Sequence, residues 1–203
     1  EIGMPAVIAP TLQDIHGPGV SQLEAQLDAT EQLDSEQWRA RGIFSALGPH
    51  ATDTVSDALW QTVGEMSQRR SLPIHAHVSQ SPEEYARMHL RHNMSPVEFL
   101  KSSGIVDLEV PKLLVHGLYV GQSDLELLVD RQAFLGFCPY SQVQFGFPAR
   151  VRQWCASGLD FAIGTDCGAS NDSMDVQQEL RLAASGYAFG LSDSSTIEQF
   201  FES

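Results

Sequence analysis

The chain alternates between two textures, and that alternation leaves few folds open to it. Short apolar runs recur at residues 6–9 (AVIA), 43–47 (IFSAL), 74–78 (IHAHV), 112–115 (KLLV), 133–138 (AFLGFC) and 159–163 (LDFAI). Each has the length of a buried parallel strand, which reads as a near-continuous apolar run because both its faces are covered. Between them lie amphipathic stretches at residues 20–41, 56–70, 82–90, 95–103, 123–131, 148–157 and 174–184. Several open on helix-start chemistry: Ser56, Ser81 before Pro82, Ser95 before Pro96, and Ser123 followed by Glu126. Such residues supply a side-chain acceptor or a pre-set φ for the first turn. Six successive β-α units predict a parallel α/β sheet, either doubly wound or closed as a barrel.

Two observations favour the barrel. No glycine-rich phosphate loop follows the first strand, which a doubly wound sheet usually carries. Polar residues also cluster where the apolar runs end: "GPH" (48–50), "HAH" (75–77), "VHG" (115–117), "CPYSQ" (138–142) and "GTD" (164–166). In a (β/α)8 barrel all C-terminal strand ends point to one mouth, so these residues converge there. Closure takes eight strands and six are counted. The expectation is an incomplete TIM (β/α)8 barrel of six β-α units, with residues 1–203 forming a single partial barrel domain.

The composition bounds the partners. Only 12 Lys and Arg are spread along a chain of net charge -14, which excludes the clustered cationic face that nucleic acid requires. The three cysteines, Cys138, Cys155 and Cys167, form no C-x-x-C pair, and their odd number does not suit a disulfide framework. No apolar run approaches the roughly 20 residues of a bilayer span, and the first residues lack a basic, apolar leader pattern. A cytoplasmic protein with no membrane partner is expected.

The segments LGPHA (47–51), IHAHVSQS (74–81), LLVHGLYV (113–120), CPYSQ (138–142) and IGTDCGASND (163–172) resemble, in this order, strands four to eight of the metal-dependent amidohydrolase superfamily. MPAVIAP (4–10) is similar to its strand three. The nearest branch is the aminohydrolase and chlorohydrolase group that includes S-adenosylhomocysteine deaminase, guanine deaminase and triazine hydrolases. The resemblance implies one divalent metal, zinc in preference to iron, with His77 and Asp166 as ligands. It makes Asp166 also the acceptor of a proton from water, places His116 beside the metal to stabilise the attacked intermediate, and gives His50 and Ser141 contacts to substrate. The implied substrate is a small heterocycle, cleaved by water at a C–N or C–halogen bond. Neutral imidazole and carboxylate suit zinc, which lowers the pKa of bound water towards about 7.

Two departures qualify that implication. Gln80 stands where the deaminating relatives carry a glutamate that moves a proton, and an amide orients a substrate without acting as general acid or base. The first-strand H-x-H pair, which supplies two further ligands, has no counterpart before residue 50. The chain therefore reads as lacking an N-terminal β-sandwich and the first two β-α units, with two sheet edges that a partner chain, such as a second copy in a homo-oligomer, would cover. A noncatalytic barrel remnant serving as a binding module, and a cyclic-amide hydrolase of another branch, stay open as alternatives. So does "HAH" as the first-strand pair itself, although strand order argues against it. His75, His89 and His92 are expected to be structural, and Cys138 and Cys167 to be buried small hydrophobes. Phe134, Phe137, Phe145 and Phe147 form either a pocket wall or core.

Overall fold

The computed structural model describes residues 3–129, 131–148 and 150–185. Its strands are all parallel. β1 (Ala6–Ile8) pairs with β3 (Ile43–Ser45), and β2 (Thr11–Leu12) with β4 (Gly48–Pro49). β5 (Ile74–Val78), β6 (Lys112–His116), β7 (Ala133–Phe137) and β8 (Phe161–Ile163) follow side by side in chain order. Parallel bridges from Leu47 to Ile74 and from Ala51 to His77 join the first pairs to β5. The strands thus form six successive barrel positions, the first split into β1 and β2 and the second into β3 and β4. The register is unbroken across each split, with Ile8 opposite Ser45 and Thr11 opposite Gly48. Pro10 lies in the gap and has no N–H to give the ladder.

Gly48 is fixed by that close pairing. A Cβ there would lie 2.5 Å from the Pro10 carbonyl oxygen and 2.9 Å from that of Ala9, both main-chain atoms that cannot swing aside. Gly48→Ala is expected to destabilise the fold by about 1–3 kcal/mol, the range for overfilling a packed site, read as a shift in the urea midpoint.

The connecting helices are α1 (Leu23–Leu33), α2 (Glu36–Arg39), α3 (Asp57–Arg70), α4 (Pro82–His92), α5 (Pro96–Ser102), α6 (Gln122–Leu128), α7 (Pro139–Phe145), α8 (Val151–Ser157) and α9 (Val176–Ala184). Ser56, Ser81 and Ser95 cap α3, α4 and α5 as their sequence predicts, each accepting a backbone N–H from the first turn. Three stretches depart from expectation. Residues 20–41 divide into a 3-10 turn, α1 and α2, because Ser35 is extended and ends the first periodicity. At α6 the anchor is Asp124 rather than Ser123 with Glu126: Asp124 accepts from Gly121 N at 2.9 Å and from Ser95 Oγ at 2.5 Å, tying α6 to α5. The "CPYSQ" segment opens α7, with Pro139 in its first turn.

The core lies between sheet and helices. Ile74, Ala76, Val78, Leu114, Leu135 and Phe137 face outward from the sheet and join one buried cluster with Trp60 and Val63 of α3, Met88 of α4, Leu100 of α5, Leu125 of α6 and Trp154 of α8. The opposite face of the sheet is less covered than the apolar runs predict. His75 and Phe134, which alternate with core positions, are exposed, and so are Val7, Phe44 and Ala162 on the other strands. Among the described residues no helix is long and apolar enough to cross a membrane.

Candidate metal and substrate site

The polar strand ends meet above that open face. His77, the fourth residue of β5, is held through the main chain of the neighbouring strand: the His50 carbonyl oxygen accepts both His77 N at 2.9 Å and His77 Nδ1 at 2.8 Å. This bond places the ring proton on Nδ1 and leaves the Nε2 lone pair free, the arrangement that orients metal-binding histidines. The His50 ring stands edge-on to His77 at a centroid distance of 5.0 Å, its own Nδ1 2.8 Å from Thr54 Oγ1. Burial first, and then the charge of His77, hold the His50 pKa below its ordinary value.

His116 ends β6. Its ring stacks on His77 with centroids 5.4 Å apart and planes 17° from parallel. It is 1% exposed, and neither ring nitrogen has a hydrogen-bond partner among the described residues. Burial, reinforced by His77 and opposed by Asp166, pushes its pKa down to about 4. The ring is therefore neutral near pH 7 and keeps a lone pair. Asp166 follows β8, and its Oδ2 accepts from Ser141 Oγ at 2.8 Å, while Ser141 Oγ lies 2.7 Å from Ser170 Oγ. His116 (φ 82°), Asp166 (φ 57°) and Ser79 (φ 54°), each just beyond or at a strand end, all occupy the left-handed region. Non-glycine residues held there cost of order 1–3 kcal/mol each, and such conformations concentrate at functional sites.

One ligand atom each from His77, His116 and Asp166 lies within 4.8 Å of the others. Two imidazoles and a carboxylate, one imidazole buried and otherwise unsatisfied, fit a divalent cation of the zinc type. His50 and Ser141 adjoin this cluster through His77 and Asp166. Gln80 sits half-buried on the turn after β5, its backbone N–H donating to Glu84 Oε2 at 2.8 Å. A cavity of about 340 Å³, lined by His75, His77, Val115, Cys138, Asp166 and Cys167 among others, opens beside this cluster.

Other expectations divide. His75 lines the cavity on the open face, because it alternates with Ile74 and Ala76; it is not the satisfied core histidine expected. His89 and His92 lie on α4, stacked on Tyr85 and packed against Phe99 respectively. Cys138 is buried, its thiol pushed up to about 12 by burial and the carboxylates of Asp166 and Glu179, which leaves it inert at neutral pH. Cys167 is exposed, contrary to expectation, and lines the cavity beside Asp166. Phe137 is core, packed on Trp154 and Phe161, whereas Phe134 is on the open face and Phe145 on the surface.

Sequence reasoning missed two buried carboxylates. Glu179 of α9 accepts from Tyr140 N at 2.9 Å and also from Asn171 Nδ2, joining the segment that carries Ser141 to the loop that carries Asp166. Burial pushes its pKa up. Glu84 of α4 does the equivalent beside His77. Its spacing three after Ser81 signals a helix cap, but nothing in the sequence signals its longer reach.

The sequence profile of the amidohydrolase family matches residues 5–196. A 5-methylthioadenosine/S-adenosylhomocysteine deaminase from Caldicellulosiruptor saccharolyticus is 30% identical over 185 residues, 91% of this chain and 41% of the relative. The chain spans about two fifths of the length of the curated relatives it matches. Among solved structures, a zinc-bound adenosine deaminase from Xanthomonas campestris superposes with a TM-score of 0.78 at 24% identity, covering 98% of this chain and 43% of that one. A zinc-bound atrazine chlorohydrolase from Arthrobacter aurescens gives 0.77 at 19%, covering 91% and 43%. These likenesses establish the fold as part of a (β/α)8 barrel, in agreement with the parallel order of the strands. With the profile spanning all six strand positions, the chain belongs to the amidohydrolase family.

Proposed function

We propose that the protein is a metal-dependent hydrolase acting on a small heterocyclic substrate at a C–N or C–halogen bond. The observation that carries this reading is the convergence of His77, His116 and Asp166 from three strands within 4.8 Å, in a chain of this family. His77 through Nε2, Asp166 through the oxygen not bonded to Ser141, and His116 beside them would hold or flank one divalent cation, zinc in preference to iron. The bound cation supplies Lewis-acid activation of water. Asp166 accepts a proton, and Ser141 fixes the orientation of its carboxylate. Neutral His116, out of water and short of partners, stabilises charge that develops on the attacked group. His50 and Ser141 contact the substrate from either side. A deaminase named for nucleoside substrates and a chlorohydrolase among the relatives support the substrate class.

Gln80 narrows the reading further. It hydrogen-bonds but does not titrate near neutrality, which favours a leaving group that departs without a proton, as halide does. After supplementation with zinc or iron, purified protein should retain near-stoichiometric metal; retention below a tenth of an equivalent would overturn the reading in favour of a noncatalytic module. With metal bound, Gln80→Glu should raise deamination of adenosine, guanine or aminotriazines by about 10²–10⁴-fold, the usual contribution of a placed general acid. Unchanged rates in that assay would remove Gln80 from the reacting centre.

A further inference from the structure

Two helices begin with serine at the cap and glutamate three residues on, and they use the pair differently. On α5, Ser95 Oγ accepts from Glu98 N at 3.0 Å and Glu98 Oε2 accepts from Ser95 N at 2.7 Å. That reciprocal pair satisfies a helix start, and Glu98 remains exposed. On α4, Ser81 Oγ accepts from Glu84 N at 3.2 Å, but the Glu84 carboxylate passes over Ser81. Its Oε1 accepts from Thr52 Oγ1 at 2.6 Å and from Ser79 N at 3.1 Å, and its Oε2 accepts from Gln80 N at 2.8 Å. Glu84 is 3% exposed. A helix cap does not require a buried carboxylate, as Glu98 demonstrates, so the burial of Glu84 serves its other contacts.

Those contacts belong to separate strand ends. Thr52 lies two residues after His50, and Ser79 and Gln80 lie two and three after His77. Ser79, in its left-handed conformation, accepts with its carbonyl oxygen from Leu118 N and Tyr119 N, at 3.0 Å each, two and three residues after His116. One carboxylate therefore braces three adjacent strand ends. We propose that Glu84 is a positioning residue of the site, fixing through Thr52, Ser79 and Gln80 the places of His50, Gln80 and His116. The identification of those three as site residues rests on the function proposed above.

The brace responds to charge. Three donors converge on two oxygens, and the ionised carboxylate accepts all of them at the cost of a buried charge, whereas the protonated acid is free of that cost and keeps acceptor capacity for the backbone donors. The charged groups around it are Asp53, on the loop after β4, and Arg87, one turn along α4, whose guanidinium is taken by Asp53 at 2.6 Å. Burial, opposed by the bonds from Thr52, Gln80 and Ser79 and assisted by Asp53, pushes the Glu84 pKa up to about 7. The change of state falls near neutral pH.

Hydrogen exchange in the whole chain, with and without Glu84→Gln, tests this. At pH 6 the variant should exchange about tenfold faster over residues 78–81 and 117–120, while α1 and α9 stay as in the wild type. After correction for intrinsic rates, the wild type should lose protection in those two segments between pH 6 and pH 8, because the closed carboxyl binds its proton more tightly than the opened one, and the variant should not. Unchanged exchange in the variant, or an increase spread evenly over the chain, would overturn the proposal. If Glu84→Gln does not fold, the wild-type pH step decides alone, and its absence counts against Glu84. Binding of Co²⁺ by the same two proteins separates this inference from the functional one. The variant should bind about 10–100-fold more weakly, the usual effect of losing an outer support. A wild type that binds no Co²⁺ defeats the metal reading but leaves the exchange result to judge Glu84.

Discussion

Asp166→Asn lowers the affinity for Zn²⁺ by at least about a hundredfold and leaves the melting temperature within a few degrees of the wild type. The expectation follows from the unusual position of the residue. At φ 57° most side chains are strained, but asparagine enters the left-handed region as readily as aspartate, so the backbone has no reason to move. The amide oxygen can still accept from Ser141 Oγ, which sits 2.8 Å from the native carboxylate. What disappears is the negative charge facing His77 and His116. Loss of an outer partner costs metal sites about 10–100-fold, and loss of an anionic ligand should cost more. Ser141→Ala, which removes only the partner, belongs in that smaller range. Competition against a chromophoric chelator measures both, and equal affinities for wild type and Asp166→Asn would exclude the carboxylate as a ligand.

The second large effect is a pair of opposed pH dependences in metal-free protein. Glu84, raised from 4.5 to about 7, binds its proton more tightly folded than unfolded. Its neutral form adds nothing unfavourable below pH 4.5, and the burden of a buried charge grows as pH rises through 7, reaching about 3 kcal/mol. His116 is lowered from 6.5 to about 4, so it binds its proton less tightly when folded. Its contribution is present above pH 6.5 and is lost as pH falls towards 4, again by about 3 kcal/mol. Between about pH 4.5 and 6.5 the two trends offset one another. Urea unfolding at successive pH values, with chelator present, should show them singly. The stability of Glu84→Gln relative to wild type should rise with pH, and that of His116→Asn should rise as pH falls. Parallel curves for all three proteins would contradict both assignments.

The strands were the most legible part of the fold. Residues 74–78 form β5 as the apolar run predicts, and β6 and β7 differ from their runs by a residue at one end. Parallel strands buried against helices declare themselves by continuous apolar composition. The splits in the first two positions were not legible, because Pro10 interrupts a ladder whose continuity depends on a neighbour some forty residues away. The convergence of His77, His116 and Asp166 was legible through the order of their motifs. His75 was misjudged because an apolar strand sequence cannot say which face lacks a covering layer. Glu84 was hidden for another reason. Its role depends on Ser79 adopting a left-handed turn that brings two backbone N–H groups under α4, and serine carries no special signal for that conformation.

The anchor of His77 bears on how such a protein can change its chemistry. The ring is held by the carbonyl of residue 50, an atom every amino acid possesses, while the side chain of that residue is the one proposed above to contact substrate. Residue 50 can therefore be exchanged during adaptation to a new substrate without releasing the histidine beside it. Selection can act on recognition and on the reactive centre as separate traits, although both meet at a single peptide unit.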